Sequence, residues 1–572
     1  MQPNRIKLVI CWHMHQPHYR DGLDGQYRLP WVYLHAIKDY SDMVAHLENH
    51  PQARVVVNFA PVLLEQLQDY ASTMRRWLAN SQPMSDPLLN LVAGVTPVDD
   101  NLETRFEILQ ACSKAFAPTM IDVFPPFRKL LDMAQRDKLT DLDSAKGLGY
   151  FTAAFFTDLL VWYHLAWMGQ SVRNTDSRVD ALINKGLAEE HFSGADQRTL
   201  INIMADVIEN LVPRYRALAE MGQIEISMTP YGHPIVPLLI DFNSARDAMP
   251  YVQLPQHAAY PDGANRARWH LQEGIDIYQR FFGTRPSGVW LSEGSVSADA
   301  VGLLDEFGLR WTASGEGVWR HSCEASRLDV HDISSKRALY QPMQYRDQNC
   351  ALFFRDDGMS DLIGFEYKNW NPQDAANNFA HNLENIANHL GERVEEHVVA
   401  VILDGENPWE YYPGNGYQFL DTLYATLSQH PRVQMSTFSD ALDQGARCNR
   451  LTELKAGSWV YGSFSTWIGD KDKNIGWDLL VEAKQAYDRE FSKLSAEQQQ
   501  AATHQLAICE GSDWFWWFGD YNPADSVRDF SLMYRRHLQR LYELLQLPIP
   551  ASLDLLQSTG SQSAHSGTMI RN

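Results

Sequence analysis

The chain has 572 residues, of which 45% are hydrophobic, and its formal net charge is −22. This length exceeds what one compact core usually holds, so we expect two or three domains, or one large barrel with an insertion and an appended domain. The negative charge argues against nucleic acid and against an anionic membrane surface as partners, because both would repel it. It suits a soluble protein with a neutral or cationic ligand.

The aromatic and cysteine content narrows the class of protein further. The 17 tryptophans fit sugar binding, because the apolar faces of pyranose rings stack on indoles. The six cysteines are scattered without metal-type spacing, which indicates reduced thiols. The first apolar run, 6–11, is too short for the hydrophobic region of a secretion signal. We therefore expect a cytoplasmic protein with no metal and no other cofactor.

The first predicted strand, 6–11, leads directly into the sequence Trp12-His-Met-His-Gln-Pro17. His13 and His15 are two positions apart on an extended segment, so their side chains point the same way and can share a ligand. Without a nearby carboxylate in the sequence, two histidines indicate hydrogen bonding to a substrate more than metal binding.

The same arrangement, an apolar strand followed by polar side chains, recurs along the chain. Polar groups after these strands include His233, Glu293, Asp356, Asp404 and Trp409. Helical spacing separates the strands, with a long helical insertion at about 83–222. The pattern predicts a parallel β/α barrel whose site lies at the carboxyl ends of its strands. Further predicted strands are 53–59, 223–228, 288–291, 309–313, 351–354, 398–403 and 433–437.

Two other regions have a distinct character. The stretch 147–169 is apolar but carries Asp158 and His164, so it predicts a buried core helix and not a membrane span. After about residue 447 the pattern becomes helical, with helices expected at 476–494, 496–508 and 523–546. We therefore divide the chain into a catalytic barrel at 1–446, a C-terminal helical domain at 447–557 and a disordered tail at 558–572.

Two carboxylates at different strand ends, Glu293 and Asp356, suit glycosidic-bond chemistry. One attacks the anomeric carbon and the other protonates the leaving oxygen. Such pairs lie about 5–5.5 Å apart in retaining enzymes and about 6.5–9.5 Å apart in inverting ones. The signatures of serine hydrolases, zinc peptidases, P-loop proteins and dinucleotide-binding proteins are absent from the sequence.

Five segments, in order, carry a resemblance to glycoside hydrolase family 57. They are His13-Met-His-Gln-Pro17, Tyr231-Gly-His-Pro234, Trp290-Leu-Ser-Glu293, Phe354-Arg-Asp356 with Ser360–Phe365, and Asp404-Gly-Glu-Asn-Pro-Trp-Glu410. That family contains α-amylases, amylopullulanases, 4-α-glucanotransferases and glycogen branching enzymes. The resemblance implies an α/β fold, namely an incomplete (β/α)7 TIM-like barrel followed by a C-terminal α-helical domain.

The resemblance also implies a retaining mechanism on an α-glucan or maltooligosaccharide substrate. Glu293 matches the family nucleophile and Asp356 the acid/base, with the adjacent Asp357 as the second choice for that role. The side chains expected to bind the substrate are His13, His15, His233, Asp404 and Trp409. The stacking candidates, each of which could equally be a core residue, are Trp459, Trp467 and Trp514.

Three hypotheses follow from the sequence. The first is an α-amylase-like hydrolase of α-1,4-glucans, or a glucanotransferase or branching enzyme in which a sugar hydroxyl replaces water. The second is a zinc-dependent hydrolase resembling α-mannosidases or deacetylases, with His13, His15 and Asp356 as ligands. The third is a non-catalytic glucan-binding protein. The sequence does not indicate which oligomeric state the protein adopts.

Overall fold

The computed structural model describes residues 4–98, 101–554 and 560. The described part of the chain has nine short strands and many helices around them. The strands are β1 (Ile6–Met14), β2 (Val55–Phe59), β3 (Ile224–Met228), β4 (Trp311–Ser314), β5 (Met343–Tyr345), β6 (Ala351–Phe354), β7 (Val398–Asp404), β8 (Val433–Met435) and β9 (Asn449–Leu451).

The α-helices fall into three groups along the chain. Those before β3 are α1 (Trp31–His35), α2 (Ser41–Asn49), α3 (Pro61–Asn80), α4 (Pro87–Val92), α5 (Leu102–Cys112), α6 (Pro125–Met133), α7 (Ala153–Trp167), α8 (Gln170–Thr175), α9 (Ser177–Leu187) and α10 (Gly194–Glu220). Those between β3 and β9 are α11 (Val236–Ile240), α12 (Gly263–Phe282), α13 (Ala298–Glu306), α14 (Glu316–Ala325), α15 (Val330–Ser334), α16 (Asp357–Asp361), α17 (Pro372–Leu390), α18 (Tyr417–Gln429) and α19 (Phe438–Asp443). Those after β9 are α20 (Lys471–Glu490), α21 (Ala496–Cys509), α22 (Ser512–Trp517) and α23 (Ala524–Leu544).

Short turns of other helix types connect these elements. The π-helical turns are Ala36–Tyr40, Ala117–Ile121 and Leu362–Glu366. The 3-10 turns are Arg136–Lys138, Ser144–Tyr150, Phe242–Asp247, Ser292–Gly294, Arg337–Tyr340, Tyr367–Asn369, Val394–Glu396, Trp409–Tyr411, Pro413–Gly416, Phe491–Lys493 and Ala551–Asp554.

Parallel strand pairing organises the fold. One sheet has the order β3-β2-β1-β7, with β8 pairing to the start of β1, and the other has the order β4-β6-β5-β9. Isolated parallel bridges join Met228 to Val289, Gly288 to Trp311, and Arg355 to Ala400. These bridges link β3 through residues 288–289 to β4, and β6 to β7, so the carboxyl ends of seven segments face one region.

The space between these segments is filled by alternate residues of the strands. Both faces of the strands are buried, which explains why their sequences are nearly continuous apolar runs and do not alternate. The side chains in this inner cluster are Val9, Cys11, Val56, Trp290, Trp311, Ala313, Ala351, Phe353, Val398, Ala400, Ile402, Phe438, Ala441 and Ala446.

The structure departs from the predicted strands at several points. β1 extends to Met14, so both histidines of the first motif lie at or just past its end. The predicted strand 288–291 contains only isolated bridges. The three-residue strands β5 and β9 were not predicted.

The long segment between β2 and β3 contains the helices α3 to α10 joined by turns, with no strand among its described residues. Its most apolar part, α7, is buried nearly throughout and includes Asp158, which accepts hydrogen bonds from His191 and from the amide of Phe192. In the part of the chain that the structure describes, no helix is long and apolar enough to cross a membrane.

A buried ionic network joins the C-terminal helices to the strand-bearing part of the chain. Glu510, just before α22, receives hydrogen bonds from Arg266 (2.7 and 2.8 Å) and His270 (2.7 Å) of α12, and from Tyr260 (2.5 Å). These partners lower the pKa of Glu510 to about 2 despite its burial. The predicted disordered tail, 558–572, lies outside the described residues except for Gly560.

Candidate active site

Glu293 occupies a strained turn directly after the apolar segment 288–291. Its backbone has φ 59° and ψ 23°, the left-handed region that residues other than glycine rarely adopt. Gly294 follows with φ 59°, and a Cβ there would lie 2.7 Å from the Trp290 ring. Non-glycine residues held in this region cluster at functional sites, because the surrounding structure must maintain the strain. The turn is therefore a candidate for chemistry on its geometry alone.

The indole of Trp459 holds the Glu293 carboxylate. Trp459 Nε1 donates to Glu293 Oε2 (2.9 Å), and the Trp459 amide donates to the Glu293 carbonyl (3.0 Å). Val296 and Gly457 exchange backbone hydrogen bonds beside this contact. The segment after β9 thus fixes both the backbone and the side chain of Glu293.

Glu293 lines a cavity of about 990 Å³. Burial, together with the nearby carboxylates of Asp404 and Asp513, raises the pKa of Glu293 to about 8 against the opposing effect of the Trp459 hydrogen bond. Burial also raises the pKa of Asp404. The cavity wall includes His13, His15, Gln16, Glu293, Asp404, Glu406, Asn407, Trp459, Asp513, Trp516 and Trp517.

His13 of this wall and His233, which is not among the lining residues, belong to one hydrogen-bonded chain. Asn58 donates from Nδ2 to Ser227 Oγ (2.9 Å), so its Oδ1 accepts from His13 Nδ1 (2.6 Å). His13 Nε2 then carries the lone pair and lies 3.3 Å from His233 Nε2, which donates to it. His233 Nδ1 accepts from the Ser512 hydroxyl (2.8 Å). Burial lowers the pKa of His13 to about 3 and that of His233 well below its ordinary value, so both rings are neutral near pH 7.

His15 connects this chain to the C-terminal helices. Its Nε2 lies 2.8 Å from Asp513 Oδ1, and its ring stacks on His233 with centroids 3.6 Å apart and planes 13° apart. Candidate ligand atoms of His15, His233 and Asp513 lie within 4.8 Å of one another, so we tested the group as a metal site. Imidazole lone pairs lie in the ring plane, and two rings stacked face to face cannot both direct one at an ion about 2 Å away. The residues as placed do not fit a metal.

Asp356 and Asp357 have different surroundings. Asp356 is 4% exposed and caps α16: its Oδ1 accepts from the Met359 amide (2.9 Å) and its Oδ2 from the Tyr340 hydroxyl (2.8 Å). It is not among the described residues that line the Glu293 cavity. Asp357 pairs with Arg355 at 2.5 Å. Both carboxylate oxygens of Asp356 therefore accept hydrogen bonds from the protein, whereas the zinc hypothesis needs this carboxylate as a metal ligand.

The tryptophans predicted from the sequence are divided between the cavity and the core. Trp459 lines the cavity. Trp409 is 1% exposed and lies behind the wall, while Trp467 and Trp514 are 0% and 1% exposed. Side chains surround Trp467 and Trp514 on all sides, leaving no ring face for a sugar. This placement corrects the expectation that these two stack on the substrate.

The helix α22 supplies wall residues that the sequence analysis missed. Asp513, Trp516 and Trp517 line the cavity, whereas Trp514 and Phe515 are buried in the core. Positions i, i+3 and i+4 share one face of a helix, so helical periodicity over this six-residue segment would have separated the two sets.

Glu406 is a second side chain that the sequence analysis missed. It is 4% exposed, and its Oε1 accepts from Gln16 Nε2 (3.2 Å) and from the His15 amide (3.4 Å). Burial, followed by the neighbouring charge of Asp404, raises its pKa well above the ordinary value. Through these two hydrogen bonds Glu406 keeps the first histidine motif in place. Its position two residues after Asp404 was the available signal.

A buried carboxylate, neutral histidines and indoles around one cavity are the parts of an enzyme that acts on carbohydrate. Residues 9–453 match the model of glycosyl hydrolase family 57, and the chain belongs to that family. No curated protein matches the chain.

Solved structures with similar folds are members of the same family or have related activities. A branching enzyme of Thermococcus kodakaraensis has a TM-score of 0.54 at 15% identity, covering 94% of this chain and 90% of its own. The α-amylase AmyC of Thermotoga maritima has a TM-score of 0.53 at 13% identity, covering 97% of each chain. A 4-α-glucanotransferase of Thermococcus litoralis has a TM-score of 0.51 at 13% identity, covering 94% of this chain and 60% of its own. At these identities the likeness concerns the fold.

Proposed function

We propose that this protein is a retaining, α-amylase-like enzyme acting on α-1,4-glucans. The observation that carries the proposal is Glu293: a carboxylate in a strained turn, held by Trp459, in a cavity walled by histidines, acids and indoles. We also propose that the seven linked strand segments form an incomplete (β/α)7 barrel within residues 1–446, followed by a helical domain at 447–557. A cytoplasmic location is part of this proposal.

In the proposed mechanism Glu293 attacks the anomeric carbon of the bound sugar. Asp356 lies outside the described lining of the Glu293 cavity, so this mechanism requires its carboxyl to move to the glycosidic oxygen. There it gives a proton to that oxygen as the bond to it breaks, and a covalent glycosyl-enzyme results. Asp356 then removes a proton from water, which attacks the same carbon and releases Glu293. The carboxylates of Asp404 and Asp513, which line the cavity with Glu293, can hydrogen-bond the sugar hydroxyls around the attacked carbon.

The second candidate is a transferase with the same catalytic pair. If a sugar hydroxyl in place of water attacks the intermediate, the products are longer or branched glucans. The similarity in fold to a branching enzyme and a 4-α-glucanotransferase supports keeping this candidate.

The activity test uses maltoheptaose and follows both reducing ends and product lengths. New reducing ends with shorter products are expected for a hydrolase. Longer and shorter chains at constant reducing ends would identify a transferase, and neither change would favour the glucan-binding hypothesis. Activity that depends on an added divalent metal would support the zinc hypothesis instead.

Substitutions test the two catalytic roles. Glu293→Gln is expected to lower kcat by several orders of magnitude with the fold intact. Asp356→Asn is expected to be nearly inactive, while Asp357→Asn is milder because that side chain pairs with Arg355. A greater loss in Asp357→Asn than in Asp356→Asn would move the acid/base to Asp357.

A further inference from the structure

The ammonium of Lys473 lies buried against the end of α22. Lys473, in the first turn of α20, is 0% exposed. Its Nζ donates to the carbonyls of Phe515 (2.5 Å) and Phe518 (2.7 Å), with that of Trp516 at 3.5 Å. The last carbonyls of a helix lack intrahelical partners, and a cation there satisfies them and favours the helix dipole. A six-residue helix is too short to be stable by itself, so its position depends on such contacts.

The other end of α22 is fixed by a different buried charge. Glu510 lies two residues before the helix and is bound to Arg266 and His270 of α12. The helix that presents Asp513, Trp516 and Trp517 to the cavity is thus anchored to α12 at its start and to α20 at its end. Without the Lys473 anchor, only the start of the helix would stay attached by a buried charge.

We propose that Lys473 is a positioning residue that holds the α22 wall of the cavity in its substrate-binding geometry. Lys473 does not line the cavity and acts through the backbone of residues 515–518. The inference rests on the proposed glucan-binding function for its kinetic consequence, while its structural consequence is independent of that function.

Stability does not explain the presence of this lysine. Burial lowers the pKa of Lys473 to about 7, although Asp470 and Asp472 raise it. A lowered pKa means that folding disfavours the charged form, so at neutral pH the buried ammonium opposes stability. Replacing Lys473 by an apolar side chain leaves the carbonyls of Phe515 and Phe518 without this donor, and that cost falls on the end of α22. We therefore expect Lys473 to keep α22 ordered and not to stabilise the protein as a whole.

Lys484 provides a matched control on the same helix. It is 1% exposed and hydrogen-bonds to Asp488 of its own helix at 2.5 and 2.7 Å. Lys484→Met removes an equally buried ammonium from α20 and leaves the carbonyls of α22 untouched. Lys473→Arg is a second variant, which keeps a cation at the end of α22.

The first measurement is hydrogen exchange of the backbone amides. In Lys473→Met we expect exchange within residues 512–518 to quicken about tenfold or more, with the strand amides unchanged. Lys484→Met should leave residues 512–518 unaffected, and Lys473→Arg should restore part of the protection. Unchanged exchange at 512–518 in Lys473→Met, or a uniform rise along the whole chain, would overturn the proposal.

The second measurement is steady-state kinetics on maltoheptaose. Lys473→Met is expected to raise KM about tenfold while kcat stays within about threefold, because a displaced wall weakens substrate binding more than the chemical step. Unchanged KM together with faster local exchange would overturn the positioning role. If the wild type acts on no glucan, the proposed function fails, whereas the exchange experiment still decides whether Lys473 holds α22.

Discussion

The raised pKa of Glu293 makes a quantitative prediction about stability. Its pKa is about 8 in the folded protein and about 4.5 when unperturbed, so the folded protein keeps a proton that the unfolded chain releases between these values. The stability that this protonated carboxyl contributes is then fully present below about pH 4.5 and is lost as the pH rises to about 8. Glu293→Gln keeps the neutral shape and removes the titration.

The magnitude follows from about 1.4 kcal/mol for each tenfold change in protonation, with an upper limit of about 5 kcal/mol. The substitution should stabilise by about 1 kcal/mol at pH 5 and by up to about 4 kcal/mol at pH 8, where Glu293 is half ionised.

Thermal unfolding of the wild type and of Glu293→Gln, followed from pH 5 to pH 8.5, measures this difference. We expect the two midpoints to diverge by several degrees as the pH rises. Glu392→Gln, a change at an exposed residue, is the control, and its unfolding midpoint should differ from that of the wild type by the same amount at every pH. A Glu293→Gln offset that is constant with pH, or that shrinks toward pH 8, would refute the assignment of a buried, proton-holding Glu293.

Three further predictions concern the cavity and its support. Asp404→Asn removes a negative charge that raises the pKa of Glu293. The acidic limb of the kcat/KM pH profile, which reports the ionisation of Glu293, should therefore move to lower pH by about one unit, and an unmoved limb would contradict this coupling. Trp516→Ala and Trp517→Ala should each raise KM for maltoheptaose, up to about tenfold, as a stacking contact of about 1 kcal/mol is lost; unchanged KM in both variants would exclude stacking there. Glu510→Gln leaves the Arg266 guanidinium buried without its charged partner. The free energy of unfolding, measured with denaturant at pH 7, should fall by about 3–5 kcal/mol, and a fall below about 1 kcal/mol would show that the network is dispensable.

The strands of the inner cluster were largely predictable, because burial on both faces leaves runs of apolar residues. The strand predicted at 398–403 was recognised this way, and the side chains that follow such strands were expected at one end of the sheet. Glu293 and Asp404 do line one cavity. Strand pairing brings residues that are distant in sequence together. The sequence pattern, however, does not predict which other side chains each of these residues contacts.

The surroundings of individual acids and indoles were less predictable. The motif around Asp356 gave no sign that both of its oxygens accept hydrogen bonds from Met359 and Tyr340. Trp514 was named as a stacking candidate that could equally be a core residue, but its helical neighbours Trp516 and Trp517 are the ones that line the cavity. Richness in tryptophan does not indicate which ring of a helix faces a ligand. The distinction depends on which face of α22 packs on the C-terminal helices, and that is a tertiary property.

Glu293 and Asp404 are neighbouring carboxylates in the cavity. The charge of Asp404 raises the pKa of Glu293, in addition to the larger effect of burial. A nucleophile must be ionised to attack, and the proton retained at neutral pH must therefore leave Glu293 before reaction. The hydrogen bond from Trp459, which favours the charged form, is the contact best placed to assist.

The most direct test of the central claim is to identify the residue that becomes glycosylated. The enzyme would be incubated with 5-fluoro-α-glucosyl fluoride, which slows release of a covalent intermediate, and the adduct located by peptide mass spectrometry. The proposed mechanism predicts one glucosyl adduct per chain, on Glu293, and no adduct in Glu293→Gln. An adduct on Asp404 or Asp513, or turnover of glucan with inversion of the anomeric centre and no adduct, would contradict it.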